Sequence, residues 1–186
     1  VSERVFGGSQ VLVTNVKEID LIGFLPMAII SGLFFGFVAL IYMQSLSKAP
    51  QILAKTKIPP TYLIFVGALI CGSVGMFYPE VLGIGTSTIN AMLNVEVTLN
   101  YVVIFLFLKL ILTTVCLSTG FFGGVFSPAL FIGAAAGMTF AGLLALTGLE
   151  TNYSVLALCG MASVGASVIG TPIAGVILVV ELSNNY

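Results

Sequence analysis

The sequence contains no histidine. Histidine is the usual general base and proton shuttle of proteins and their commonest metal ligand, so its absence removes the most frequent catalyst of each kind. The apolar segments also lack a pair of acidic residues that would replace it. We therefore expect a protein that is not an enzyme, with no metal centre and no cofactor.

Charged residues of both signs are scarce. The chain has six Lys and Arg and seven Asp and Glu among 186 residues, and 59% of its residues are hydrophobic. Charged residues make up 7%, whereas about 25% is typical of soluble domains. Together with a mean hydropathy of +1.18, this composition predicts an integral membrane protein. The net charge of −1 argues against nucleic acid as a partner.

Cysteine is also rare, and its spacing is not that of a metal site. Cys71, Cys116 and Cys159 lie in three separate apolar segments, without a CxxC pair. Buried reduced thiols are therefore expected, rather than a disulfide framework or metal ligands.

The chain consists of a short polar N-terminal segment followed by a series of apolar segments. Residues 1–20 are predicted to be a polar linker, and residues 21–186 a transmembrane helical domain. The uncharged segment 21–47 is long enough to cross about 30 Å of hydrocarbon. Gly32 and Gly36 share one face of this helix, which favours close packing against another helix.

The later segments predict about seven helices in total, several of them tilted or partial, with little or no sheet. Some are too short or too interrupted to span, which is typical of binding sites in transporter-like folds. The predicted segments after the first are 61–77, a broken and short 81–93, 101–116, a helix running to about 146, 153–169 and 172–182.

Three of the six basic residues lie in one short connection before Pro59 and Pro60. They are Lys48, Lys55 and Lys57. Because loops rich in Lys and Arg stay on the cytoplasmic side, the loop 48–57 is predicted to be cytoplasmic.

The most informative stretch is 118–128, which lies within the uncharged segment 110–149 and must end one helix and begin another. The first N–H groups of a helix lack partners and carry partial positive charge, so they attract anions. Gly123 and Gly124 give the turn freedom and let a ligand approach, and Pro128 suits a first helical turn. The pattern predicts an anion site built from main-chain amides rather than from Arg or Lys.

Structural alternatives accompany this interpretation. Glycine and proline are common at simple kinks in membrane helices, so the break also fits packing alone. The Ser127 hydroxyl is interpreted as a local cap rather than as an ion ligand. Lys109 lies inside an apolar segment, where a cation either pairs in a cavity or extends toward the interface.

Residues 124–128, Gly-Val-Phe-Ser-Pro, resemble the GxFxP signature of the CLC family of chloride channels and chloride/proton antiporters. Thr113 and Thr114 upstream and the later run 170–186 resemble the same family in the same order. The resemblance implies an all-α membrane protein, the second half of an inverted-repeat fold, that transports chloride or a similar small anion. It also implies that the backbone N–H groups of Val125 and Phe126 bind the anion.

The resemblance leaves some points open. It implies a homodimer formed through the late helices, and a longer protein whose first half supplies the gating glutamate. It does not separate a channel from a proton-coupled antiporter. The alternative is a membrane assembly or scaffold segment without an anion site, whose faces of small residues hold helices together.

Overall fold

The computed structural model describes residues 21–56, 58–148 and 151–183, and every regular element within them is helical. The predicted all-α fold and the prediction of about seven helices are confirmed, while the predicted linker 1–20 lies outside the described residues. The helices are α1 (Leu21–Ala54), α2 (Pro60–Phe77), α3 (Thr86–Leu93), α4 (Leu99–Ser118), α5 (Phe126–Leu146), α6 (Tyr153–Ile169) and α7 (Pro172–Ser183).

Four of these helices, α1, α2, α4 and α5, are long and apolar enough to cross a membrane. The others are shorter. At about 1.5 Å per residue, the 12 residues of α7 reach only about 18 Å, which is less than the hydrocarbon thickness of about 30 Å. The chain therefore combines full spans with partial helices, as the segment lengths predicted.

Helix α1 is longer than predicted. It continues through Lys48 and Pro50 and ends at Ala54, so the predicted loop 48–57 is wrong in its extent. Lys48 lies on the helix, where its Nζ donates to Gln44 Oε1 at 3.1 Å. No glycine interrupts residues 37–54, and membrane helices tolerate an internal proline when its freed backbone groups find other partners.

The predicted interruption between α2 and α4 is confirmed. A single 3₁₀ turn, Pro79–Val81, follows α2 and precedes the eight-residue α3. Gly83 and Gly85 have φ values of 61° and 73°, in the left-handed region that glycine adopts readily. The backbone therefore bends at residues 82–84, between α2 and α3.

The core of the structure is the pair α5 and α6. Thirteen of the 21 residues of α5 are buried, and glycines let the two backbones approach. A Cβ on Gly133 would collide with the carbonyl of Gly160, and a Cβ on Gly137 would collide with the carbonyl of Leu156. Small residues thus serve close helix packing here, as they commonly do in membranes.

The close packing predicted for Gly32 and Gly36 is not found. Among the described residues, nothing lies within 4 Å of a Cβ placed on either glycine. Helix α2 is likewise open, because Gly67 is the one buried residue among its 18 positions. The apolar faces of α1 and α2 are therefore available to lipid or to other protein.

Candidate functional site

The break between α4 and α5 occupies residues 119–125. Thr119 ends α4, with its N–H donating to Val115 O at 2.9 Å and its hydroxyl donating to Val115 O and Cys116 O. Gly120 follows with φ 101°, and the N–H of Phe121 donates back to Cys116 O at 3.0 Å. The end of α4 is thus closed by hydrogen bonds within its own last turn.

Gly120 is the glycine of the turn that has a positive φ. Neither Gly123 nor Gly124 has a positive φ, and the conformational freedom predicted for these two glycines stays a prediction. Both are exposed, and nothing lies within 4 Å of a Cβ placed on Gly124. The space beside their backbone agrees with the other predicted role, the close approach of a ligand.

Helix α5 begins as predicted, with its N-terminus at the break. Its first helical hydrogen bond runs from Ala129 N–H to the carbonyl of Val125 at 3.2 Å. The N–H groups of Val125, Phe126 and Ser127 precede that bond and have no partner within the helix, and Pro128 has no N–H. The N-cap residue Val125 provides no side-chain hydrogen bond to this end, and the capping role of Ser127 stays a prediction.

A tyrosine on α1 contacts the start of α5. Tyr42 is fully buried, and its hydroxyl donates to the carbonyl oxygen of Val125 at 3.1 Å. The two residues lie 83 positions apart, so no local sequence pattern pointed to this contact. A tyrosine inside an uncharged membrane segment was the one available signal, since a buried hydroxyl usually finds a partner.

A cavity of about 320 Å³ adjoins the break. The four residues predicted to shape the motif, Gly123, Gly124, Ser127 and Pro128, all line it, whereas Val125 and Phe126 do not. The rest of the lining comes from α2, the irregular segment after it, α4 and the break, namely Cys71, Val81, Leu82, Gly83, Ile84, Lys109, Leu112, Thr113, Cys116, Leu117, Phe121 and Phe122.

Lys109 brings a cation to this cavity, which the expectation of a site without Lys or Arg did not include. Its side chain is 3% exposed, so it does not extend to an interface. The Nζ donates to the carbonyl oxygens of Val81 and Gly83, both at 2.7 Å, and lies 4.9 Å from the centre of the Phe131 ring. An intramembrane cation held by carbonyls is the arrangement expected near a functional cavity.

The thiols of Cys71 and Cys116 also meet at the cavity. Their Sγ atoms lie 2.7 Å apart, one on α2 and the other on α4, and both cysteines are half-buried and free. The sequence predicted buried reduced thiols in separate segments and did not predict that two of them are in contact. Within the described residues, no group of three or more Cys, Asp or Glu is arranged to hold a metal ion.

A second and larger cleft, of about 900 Å³, lies at the opposite end of α4. Glu80, Glu96, Tyr101 and Phe105 are among its lining residues, and it contains no residue of the break. The candidate site is therefore the smaller cavity, where the motif, the helix start and the buried cation meet.

The four apolar spans define a multi-pass integral membrane protein. Its partial helices, and the helix start at the break, are typical of transporter-like architectures. The sequence profile described as voltage gated chloride channel matches residues 1–186. The chain belongs to this family, which confirms the CLC resemblance.

Individual relatives agree with that assignment. The chain is 31% identical over 188 residues to chloride channel protein CLC-e of Arabidopsis thaliana, covering 88% of this chain and 26% of that protein. It is 27% identical over 195 residues to the H(+)/Cl(-) exchange transporter ClcA of Vibrio cholerae, covering 98% and 41%. The crystal structure of a CLC-type fluoride/proton antiporter superposes with a TM-score of 0.81 at 26% identity, covering 98% of this chain and 45% of that one.

The chain spans less than half the length of these relatives. The structural similarity shows a CLC-type helical fold, but the chain corresponds to only part of the length of each of these relatives.

Proposed function

We propose that the complete protein transports chloride or a similar small anion, and that the N–H groups of Val125 and Phe126 form part of its anion site. The observation that carries the proposal is the start of α5, where N–H groups without a helical partner lie beside an open turn. Membership of the voltage gated chloride channel family supports it.

The chemistry of the site would follow from the backbone. The aligned peptide dipoles of α5 place partial positive charge at its N-terminus, and the N–H groups would replace part of the water shell of the anion. Lys109 would add attraction from across the cavity, but Val81 and Gly83 already occupy two of its three N–H donors. Binding of this kind is weak enough to release the ion, which conduction requires.

The remaining parts of the pathway would come from outside this chain. We propose that the chain is the second half of an inverted-repeat membrane domain, that the protein is a homodimer formed through the late helices, and that the connection between α1 and α2 is cytoplasmic. One relative is described as a chloride exchanger and another as a fluoride/proton antiporter, so both anions belong in the test.

Proline at position 125 is the cleaner way to delete one N–H. Val125 has φ −89° and follows a glycine, which tolerates a proline after it. Proline at position 126 would instead disfavour the helical ψ of −21° at Val125. An α-hydroxy acid at position 126, which replaces the N–H by an ester oxygen, avoids that strain.

The experiment measures chloride and fluoride binding and flux in the complete protein, purified and reconstituted. Val125→Pro and the ester at 126 should each weaken binding of the transported anion about tenfold to a hundredfold, the loss expected for one hydrogen bond to a charged group. Val125→Ala, which keeps the N–H, is the matched control and should bind normally. Unchanged affinity in both backbone variants, with the fold intact, would overturn the proposed site.

The scaffold alternative is tested with the unmodified protein. A specific site stabilises the folded state by mass action. Chloride or fluoride should therefore raise the thermal stability in detergent above that in a large impermeant anion, and the protein should catalyse flux. A protein with neither response would be a structural segment.

A further inference from the structure

Tyr42 contacts the one peptide group that links the two proposed anion-binding residues. Its phenol is fully buried on α1, and the hydroxyl donates to the carbonyl oxygen of Val125 at 3.1 Å. That carbonyl belongs to the same peptide unit as the N–H of Phe126. A hydrogen bond to the Val125 carbonyl therefore also affects the N–H of Phe126.

The geometry of a peptide fixes the direction of this N–H. The unit is planar, and the described residues contain no cis peptide bond, so its C=O and N–H point in opposite directions. The carbonyl of Val125 points toward the hydroxyl of Tyr42 and toward the N–H of Ala129, its helical partner. The N–H of Phe126 consequently points away from α1 and out of the N-terminal end of α5.

The same hydrogen bond strengthens the N–H as a donor. Hydrogen bonds polarise the groups that share them, and each bond strengthens the next one in the chain by about 10–30%. Here the carbonyl oxygen of Val125 accepts two bonds, one from Tyr42 and one from Ala129, which occupy both of its lone pairs. Electron density drawn toward that oxygen leaves the N–H of Phe126 more positive.

We propose that Tyr42 is a positioning residue of the anion site, whose hydroxyl orients and polarises the Phe126 N–H without touching the ion. This proposal rests on the proposed function. The competing explanation is a buried tyrosine that has found a hydrogen-bond partner, as buried tyrosines usually do. That explanation predicts a loss of stability with no change in anion affinity.

The test is Tyr42→Phe in the complete protein, which removes the hydroxyl and keeps the ring. Chloride and fluoride affinities are measured by calorimetry, and the thermal stability is measured without either anion. Affinity for the transported anion should fall by up to about fivefold, the effect expected when its hydrogen bond to the Phe126 N–H loses about 10–30% of its strength. The extra stability gained on adding that anion should shrink in parallel.

Two control variants separate positioning from packing. Tyr101→Phe removes the hydroxyl of a half-exposed tyrosine at the start of α4, far from the break. Ser45→Ala loosens the packing beside Tyr42 and keeps the phenol, since Ser45 Oγ donates to the carbonyl oxygen of Tyr42 at 2.7 Å and accepts from Thr114 Oγ1 on α4 at 3.0 Å. Both variants should keep the affinity of the unmodified protein. An equal loss of affinity in Ser45→Ala and Tyr42→Phe would assign the effect to packing and overturn the proposal.

A second change at position 42 tests the same idea in the opposite direction. Replacing Tyr42 by 3-fluorotyrosine, at a mildly acidic pH that keeps the phenol protonated, makes the hydroxyl a stronger donor with little change in volume. The anion affinity should then rise, and this variant stands in for Tyr42→Phe if the latter does not fold. If the unmodified protein binds the anion and the variants at position 42 bind it equally well, the proposed role of Tyr42 is overturned and the proposed function is not. An unmodified protein that binds neither anion overturns the proposed function itself.

Discussion

The ammonium group of Lys109 donates a hydrogen bond of 2.7 Å to the carbonyl oxygen of Val81. A second bond of the same length reaches Gly83 O. Both carbonyls belong to the irregular segment between α2 and α3, where the backbone leaves regular helix geometry. In an apolar setting each unsatisfied carbonyl would be costly, so α4 supplies through one side chain the donors that the irregular segment needs.

Lys109→Met should therefore destabilise the protein. It keeps the length of the apolar stem and removes two charge-assisted hydrogen bonds, and we expect a loss of about 2–4 kcal/mol after the cost of burying the cation is recovered. The measurement is thermal unfolding in detergent. Lys48→Met is the control, since that side chain is exposed, and it should change stability by less than about 0.5 kcal/mol. Equal unfolding temperatures for the two variants would contradict the prediction.

The two glycines of the irregular segment should respond differently to alanine. Both have positive φ, but a Cβ on Gly85 would lie 2.7 Å from the Phe131 ring, whereas nothing lies within 4 Å of one on Gly83. Gly83→Ala should cost only the backbone strain of about 1–2 kcal/mol. Gly85→Ala adds overpacking of about 1–3 kcal/mol. Chemical denaturation in mixed micelles ranks the two, and a larger loss at Gly83 would refute the assigned geometry.

The contact between α5 and α6 should not accept a methyl group. A Cβ on Gly133 would lie 2.7 Å from the Cα of Met161, which is backbone and cannot rotate away. We expect Gly133→Ala to cost about 2–3 kcal/mol. Gly36→Ala, on an open face of α1, should be neutral or stabilising by up to about 1 kcal/mol. Protease resistance and unfolding temperature give the comparison, and a comparable loss at Gly36 would mean that its face packs against structure beyond the described residues.

The thiols of Cys71 and Cys116 should oxidise to an intramolecular disulfide. Their Sγ atoms, 2.7 Å apart, need to approach by less than about 1 Å to form the bond. Hydrogen peroxide would accept the two electrons and two protons, giving one disulfide and two water molecules. Peptide mapping by mass spectrometry should identify the 71–116 link, and Cys71→Ser should abolish it. Oxidation of either thiol only to the sulfinic acid would show that the pair does not meet.

The sequence predicted those parts of the fold that depend on residues close together in the chain. The breaks near Gly83 and near Gly120 follow from glycine-rich stretches inside apolar runs, and α6 coincides with its predicted range because Asn152 and Gly170 bound it. The end of α1 was misplaced. Positive charge at Lys48 suggested a loop, but α1 continues through both Lys48 and Pro50 to Ala54.

The candidate site was predictable in its backbone and not in its surroundings. The start of α5 at Phe126 could be recognised from Gly124 and Pro128, since these residues act on their own turn. The hydroxyl of Tyr42 and the ammonium of Lys109 reach the site through packing of distant segments. Hydrophobic periodicity carries no information about which helix lies beside which, so these partners required the structure.

The burial of α5 restricts how any transport cycle could proceed. Its backbone is pressed against α6 at Gly133 and Gly137, and side chains enclose most of its length. A helix held in this way cannot slide or rotate by itself without opening voids between glycine surfaces. If the proposed function holds, gating would fall to groups that move toward the N-terminus of α5, because α5 itself would stay in place throughout the transport cycle.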